Sequence, residues 1–309
     1  MEAEAAARWR PGLRRWRRVL ESRRFLAPAL IAPAVIFMAL VVGVPFGWAV
    51  YLSLTDSIGG SLTGNWVGFD NFTNAWSDDN FRRALRNTLL FTFASQALVL
   101  VGAAILAHYL IRDFRGKWFL RFLIILPWAA PVALSTLGWL WVFDSLFSVI
   151  NWVLLGLGVI SRKIPWLGDP VWAMASVCIV NVWRGLPFFA VSLLAGLMAI
   201  PRHLYESADV DGAPALRQFW HITLPLLQPV IAVVVLFSTI WTFADFQIVY
   251  ILTHGGPVNA TQIFATMAYD VALVAGRIGE GSAIALFLFP FLLIVILLLL
   301  RRLRAEEGT

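Results

Sequence analysis

The chain has 309 residues, 60% of them apolar and only 14% charged, with a mean hydropathy of +0.78. Soluble domains are about half apolar and about a quarter charged, so this composition excludes an ordinary soluble enzyme or binding domain and points to a polytopic membrane protein. The net charge of +6 does not signal nucleic acid, because the basic residues sit at the ends of apolar runs and no base-reading module accompanies them.

An Arg-rich leader opens the chain, with Arg8, Arg10, Arg14, Arg15, Arg17, Arg18, Arg23 and Arg24 inside residues 1–24. Such a run suits anionic lipid headgroups. The apolar stretch that follows, residues 25–52, outruns the roughly 7–15 residues of a signal-peptide core and is read as a retained first span. Windows of about twenty mostly apolar residues then recur near residues 88–111, 119–143, 171–200, 224–252 and 281–300. This predicts an all-α membrane protein with six transmembrane helices over residues 25–301 (core about 84–301) and a short tail, residues 302–309. Pro127, Pro131, Pro187 and Pro290 mark expected kinks, which membrane helices tolerate where neighbours re-satisfy the freed carbonyls. Cys178 is the lone cysteine and reads as a small apolar core residue, since one thiol makes neither an internal disulfide nor a thiolate metal cluster.

Six spans place both ends of the chain on one side. That side would carry the leader, Arg112, Arg115, Lys117, Arg121, Arg202, Arg217, Arg301, Arg302 and Arg304, against Arg82, Arg83, Arg86, Arg162, Lys163 and Arg277 on the other. By the positive-inside rule both termini are then cytoplasmic. Three outer loops follow, residues 55–87, 144–170 and 253–280, where Trp66, Trp76, Trp152 and Trp166 suit the outer interface.

Polar residues interrupt two of the spans: Asn181 and Arg184 in the fourth, Asp245 and Gln247 in the fifth. An ionisable group inside a span is costly unless it meets a cavity or a partner. Two readings are open. The four residues, with the aromatic faces of Trp183, Phe246 and Tyr250, could line a path for a hydroxyl-rich solute; or Arg184 could simply pair with Asp245 or reach for the interface.

Between those spans lies a patterned cytoplasmic segment, residues 200–225. Pro201 can open a helix, residues 203–210 form one short helical stretch, and Gly212 supplies a bend. A second stretch, residues 214–221, sets Leu216, Phe219 and Trp220 on one stripe and Arg217, Gln218 and His221 on the other. Glu206, Asp209 and Asp211 would be expensive in hydrocarbon, so this two-helix elbow belongs at or beyond the membrane surface, where a partner can meet it.

The run Glu206-Ser207-Ala208, three residues, Gly212, nine residues, Ile222, one residue, Leu224-Pro225 resembles the EAA loop of ABC importer permeases, with Ser207 where that family usually has Ala. The stretches Val67-Gly68-Phe69-Asp70-Asn71-Phe72, Asn87-Thr88-Leu89, Leu252-Thr253-His254-Gly255-Gly256-Pro257 and Ala195-Gly196-Leu197 are similar to the branch that takes up di- and oligosaccharides or glycerol-phosphate compounds. The resemblance implies a type I importer permease fold in a bacterial or archaeal cytoplasmic membrane. It implies a second homologous permease, two cytoplasmic ATP-binding cassette subunits that hold the ATP and Mg, and an extracytoplasmic solute-binding protein. It also implies that Glu206, Ser207, Ala208, Asp209, Gly212, Ile222, Leu224 and Pro225 form the joint with the ATPases.

A secondary transporter or channel without an ATPase would call for coupling-ion carboxylates or inverted repeats and gives no reason for the patterned elbow. An intramembrane enzyme finds no support. No HExxH, GxSxG or phosphate-binding glycine loop is present, and His108, His203, His221 and His254 are scattered.

Overall fold

The computed structural model describes residues 23–61 and 63–306. The Arg-rich leader lies almost wholly outside the described residues. The chain within them is helical, with one isolated bridge between Thr55 and Trp66. In chain order the helices are α1 (Leu26–Ser53), α2 (Asp70–Ser77), α3 (Asp79–Leu110), α4 (Lys117–Ala129), α5 (Val132–Val142), α6 (Val149–Gly156) and α7 (Pro170–Ala199). Then come α8 (Arg202–Val210), α9 (Ala215–Phe243), α10 (Gln247–Thr253), α11 (Phe264–Val274), α12 (Ile278–Leu286) and α13 (Leu288–Glu306).

Five helical stretches are long and apolar enough to cross a bilayer, and the pair α4/α5 makes a sixth crossing when taken as one span. The expected kink in that third span is a 100° bend. Its cause is local: proline disfavours the helical region for the residue before it, and Ala130 before Pro131 is extended at φ −71°, ψ 138°. Pro187, by contrast, stays inside a continuous α7. Pro290 has no N–H for the Leu286 carbonyl, and the last span is interrupted at Phe287, between α12 and α13.

Two expectations are corrected. The fifth span does not run unbroken to Leu252: α9 stops at Phe243 and α10 begins at Gln247. The Asp245 Oδ1 accepts the Ile248 N–H at 3.0 Å, and such a local side-chain bond competes with the helical one. The elbow's second helix is not separate either, because residues 215–218 pass through a wide π turn, Phe219–Thr223, directly into Leu224 and the rest of α9. Pro225 cannot donate to the His221 carbonyl, and the wider turn carries the chain past that missing bond.

The centre is the pair α3/α7, joined by α9. Val99, Ala103 and Ala107 of α3 meet Phe189, Ala190 and Leu193 of α7 in one buried cluster. Small residues bring membrane helices close where hydrophobicity alone cannot drive them together. A Cβ on Gly102 would fall 2.9 Å from Leu186, and one on Gly196 would fall 2.7 Å from Leu227 of α9.

The opposite end from the elbow is tied by polar side chains. Asn71 Nδ2 donates to the Ser53 and Thr55 carbonyls, both at 2.8 Å, and so closes the end of α1. Asn87 Nδ2 donates to the Asn259 and Gln262 carbonyls at 3.0 Å, and Thr88 Oγ1 accepts the Phe264 N–H at 3.0 Å. These bonds give a structural reason for the Val67–Phe72 and Asn87–Leu89 stretches.

Candidate functional site

A cavity of about 680 Å³ opens where α7, the end of α9 and the α4/α5 bend converge. Asn181 and Arg184 come from α7, Ser238, Trp241 and Thr242 from α9, Asp245 and Phe246 from the break before α10, and Gln247 from the first position of α10. Trp128, Val132 and Phe188 supply apolar wall.

The polar groups form one chain of hydrogen bonds. Arg184 Nη2 donates to Asp245 Oδ2 at 2.6 Å and to Asn181 Oδ1 at 3.1 Å. Asn181 Nδ2 donates to Thr242 Oγ1 at 3.2 Å. Gln96 Nε2, from α3, donates to Ser238 Oγ at 2.8 Å and to Thr242 Oγ1 at 3.4 Å. The Asp245 side chain is 4% exposed and that of Arg184 20%, so the carboxylate is buried by its partner while the guanidinium still reaches the cavity. The two readings of these residues are therefore compatible. The ion pair is made, and it forms part of the cavity wall.

Not every candidate arrives there. Trp183 turns away and meets Trp139 edge-on, with ring centroids 5.5 Å apart. Tyr250 stands one layer behind the wall, stacked on Phe246 at 4.7 Å and packed against Tyr269 at 5.1 Å. Gln96, Ser238 and Thr242 were missed. A lone amide in the middle of an apolar span was the signal for Gln96, and a polar pair four residues apart was the signal for Ser238 and Thr242.

At the other end, α8 starts after Pro201 and stops at Val210, and the bend that follows is made at Gly212, whose φ of +70° lies where glycine is at ease. Asp209 Oδ1 accepts from Gln218 Nε2 at 2.6 Å, and the same amide donates to the Ala213 carbonyl at 3.0 Å, bracing the bend. The Tyr205 hydroxyl bonds to Thr223 Oγ1 at 2.8 Å. Leu204, Tyr205 and Ile222 pack against the α3/α7/α9 core. The elbow is thus bolted to the bundle on one face. Its other face shows Glu206, Ser207, Val210, Leu216 and Trp220 to solvent, with Val210 at 89% exposure. Ala208 and Leu224 are half-buried and Pro225 is exposed. The expected apolar stripe is split, because Phe219 turns inward beside the His108 ring, 5.9 Å between centroids.

A bundle of apolar crossings with a polar cavity between three of them and a braced elbow at one end defines a membrane transport subunit. The chain belongs to the family of binding-protein-dependent transport system inner membrane components, which matches residues 99–305, and is a permease subunit of an ABC importer. It is 37% identical to the sulfoquinovosyl glycerol transport system permease protein of Agrobacterium fabrum, over 96% of both chains. It is 33% identical to the trehalose/maltose transport system permease protein MalF of Thermococcus litoralis, over 85% of this chain and 88% of that one. Among solved structures, a chain of a bacterial ABC transporter that imports the acidic polysaccharide alginate superposes with a TM-score of 0.78, covering 94% of this chain and 99% of that one at 23% identity. That likeness shows the fold: the six-span type I permease architecture.

Proposed function

We propose that this permease imports a sugar or sugar-like solute and forms one half of the membrane path, the other half coming from a second homologous permease. Two ATP-binding cassette subunits, holding the ATP and Mg, drive it from the cytoplasm, and an extracytoplasmic solute-binding protein feeds it. Both termini are cytoplasmic, which places the elbow with the ATPases and the starts of α3 and α7 outside.

The observation that carries this reading is the cavity wall. Asn181, Thr242 and Gln247 offer amide and hydroxyl groups beside the Trp128, Trp241 and Phe246 rings. Hydroxyl-rich ligands with apolar ring faces call for that mixture of a few placed polar groups and aromatic surface. The solutes for which the relatives are named, trehalose/maltose and sulfoquinovosyl glycerol, support the solute class.

The elbow supports the drive. Glu206 stands exposed on a short helix that is pinned to the bundle through Leu204, Tyr205 and Ile222. Closure of the ATPases against Glu206, Ser207, Ala208 and Asp209 would move α8 as a rigid body. Gly212 at the bend, Ile222, Leu224 and Pro225 would pass that motion into α9, which also carries Ser238 and Thr242 of the cavity.

The test looks first for a solute-binding protein encoded beside this chain, then screens its ligands and follows uptake in proteoliposomes. A carbohydrate ligand that is accumulated with ATP supports the proposal. A metal ion or an amino acid as sole ligand contradicts it.

A further inference from the structure

A groove of about 540 Å³ follows the last turns of α3 toward the start of α9. Its floor is Val101, Ala104 and Ile105, and one wall is Phe219, in the π turn that joins the elbow to α9. Val99, Ala103 and Ala107 of the same helix are buried against α7, whereas Val101 and Ile105 remain 60% and 67% exposed. The floor is therefore apolar surface that the bundle's own core does not cover.

The end of the groove nearest the elbow is basic. Arg112, two positions past the end of α3, is exposed and has no acidic partner among the described residues. The neighbouring Asp113 is taken by Lys117 at 3.2 Å. His108 Nδ1 donates to the Ala104 carbonyl of its own helix at 3.2 Å, and the ring lies beside Phe219, so Nε2 is the nitrogen left to meet a ligand. Tyr109 packs on Phe114, with ring centroids 5.6 Å apart, and is 58% exposed. Such amphipathic rings gather at the boundary between hydrocarbon and water.

The groove has the depth of one leaflet. From Val101 to Arg112 the chain rises about 16 Å at about 1.5 Å per residue, and half of a hydrocarbon core about 30 Å thick is about 15 Å. On the proposed topology Arg112 lies at the cytoplasmic boundary, which sets the apolar floor at acyl-chain depth and the basic end at headgroup depth. A free anion would leave Val101 and Ile105 without a role. A second helix laid on the floor would give no reason for a guanidinium and an imidazole at its end.

We propose that this groove holds one anionic phospholipid of the cytoplasmic leaflet, with its phosphate on Arg112 and His108 and an acyl chain along Val101 and Ile105. Basic pockets between spans on that side suit anionic headgroups, and a phosphate fits the guanidinium fork. Because Phe219 belongs to the turn by which the elbow enters α9, the lipid touches α3 and the root of the elbow together. The inference rests on the proposed topology and not on the identity of the solute.

The experiment releases the complete complex from nanodiscs of equal parts phosphatidylglycerol and phosphatidylcholine and counts the lipids it keeps by native mass spectrometry. The natural complex should keep phosphatidylglycerol in preference to phosphatidylcholine. Arg112→Gln should weaken that retention about fivefold, the equivalent of about 1 kcal/mol for one cation near the surface, while Arg112→Lys keeps it. Ile105→Trp, which fills the floor and leaves both basic groups, decides the matter if Arg112→Gln fails to assemble, and should also lower retention. Unchanged retention in the deciding variant would overturn the proposal. So would full competition by inorganic phosphate at the same concentration as the lipid, which would assign the basic end to a free anion. Cross-linking of a benzophenone on Val101→Cys to the second permease rather than to lipid would give the groove to protein and overturn it as well.

Discussion

Arg184 and Asp245 meet at 2.6 Å across the gap between α7 and the broken end of α9, and the same carboxylate caps α10 through the Ile248 N–H. One side chain therefore serves two tasks. It neutralises the guanidinium inside the bundle, and it fixes the start of the helix that carries Tyr250.

Removing one member of a buried pair strands the other, at a cost of about 3–5 kcal/mol. Arg184→Ala and Asp245→Ala should each lower the thermal midpoint of the purified complex by several degrees. Asp245→Ala should be the worse, because it also loses the α10 cap. The double variant should be less damaged than the sum of the singles, and strict additivity in that cycle would show that the pair is not coupled.

Much of the site could be read from residues alone, and the misses have physical causes. Asn181, Arg184, Asp245, Phe246 and Gln247 stood out as polar or aromatic breaks in apolar runs, and all five reach the cavity. Trp183 was named from its neighbours in sequence, yet it lies two positions from Asn181 and projects to another face of α7, toward Trp139. The break at Asp245 was hidden because residues 224–252 remain mostly apolar despite Asp245 and Gln247, so a window-averaged hydropathy cannot register a helix stop set by one carboxylate. Similarly, the elbow's second helix looked separate because residues 214–221 read as an amphipathic surface stretch and residues 224–252 as a span, whereas a π turn carries the chain from one into the other. Helices α2, α6 and α11 lay inside segments read as outer loops, where their short lengths left little periodicity to detect.

Two glycines of α5 and α12 should respond oppositely to alanine. A Cβ on Gly279 would sit 2.0 Å from the Thr55 carbonyl oxygen, with backbone that cannot swing away. Gly138 has nothing within 4 Å, and alanine in a helix interior is favoured over glycine by up to about 1 kcal/mol. Gly279→Ala should lose folded complex in fluorescence-detected chromatography, while Gly138→Ala should match or exceed the natural chain.

Asp270, in α11, is partly buried, and that burial raises its carboxyl above the usual range against the opposing effects of the Gln262 hydrogen bond and nearby His254. A carboxyl whose folded value is raised favours the folded state below the unfolded value, and that contribution is lost as pH rises through the folded value. The natural chain should thus be relatively more stable at mildly acidic pH than at neutral pH by this group alone. Asp270→Asn should flatten that part of a thermal-midpoint profile against pH, and an unchanged slope would remove Asp270 as its source.

Asn181→Ala and Gln247→Ala remove polar groups of the cavity wall while the Arg184–Asp245 pair keeps its 2.6 Å bond, although Asn181→Ala also takes one acceptor from the Arg184 guanidinium. In the reconstituted complex, each should reduce uptake and substrate-stimulated ATP hydrolysis while the affinity of the solute-binding protein for its ligand stays as it was. Gln96→Leu, which frees Ser238 and Thr242 from their amide donor, should do the same more weakly. Unchanged transport kinetics in Asn181→Ala and Gln247→Ala would take the path away from this cavity.

The most direct measurement is ATP-driven uptake by proteoliposomes carrying the complete complex with Glu206→Ala or Gly212→Val. Glu206 is exposed on the elbow's outer face, and Gly212 holds a φ of +70°, where a β-branched residue costs about 1–3 kcal/mol. Both variants should lose most uptake through weaker ATPase docking or uncoupled hydrolysis, with ligand capture by the solute-binding protein intact. Full-rate uptake by both would contradict the elbow as the joint through which this permease is driven.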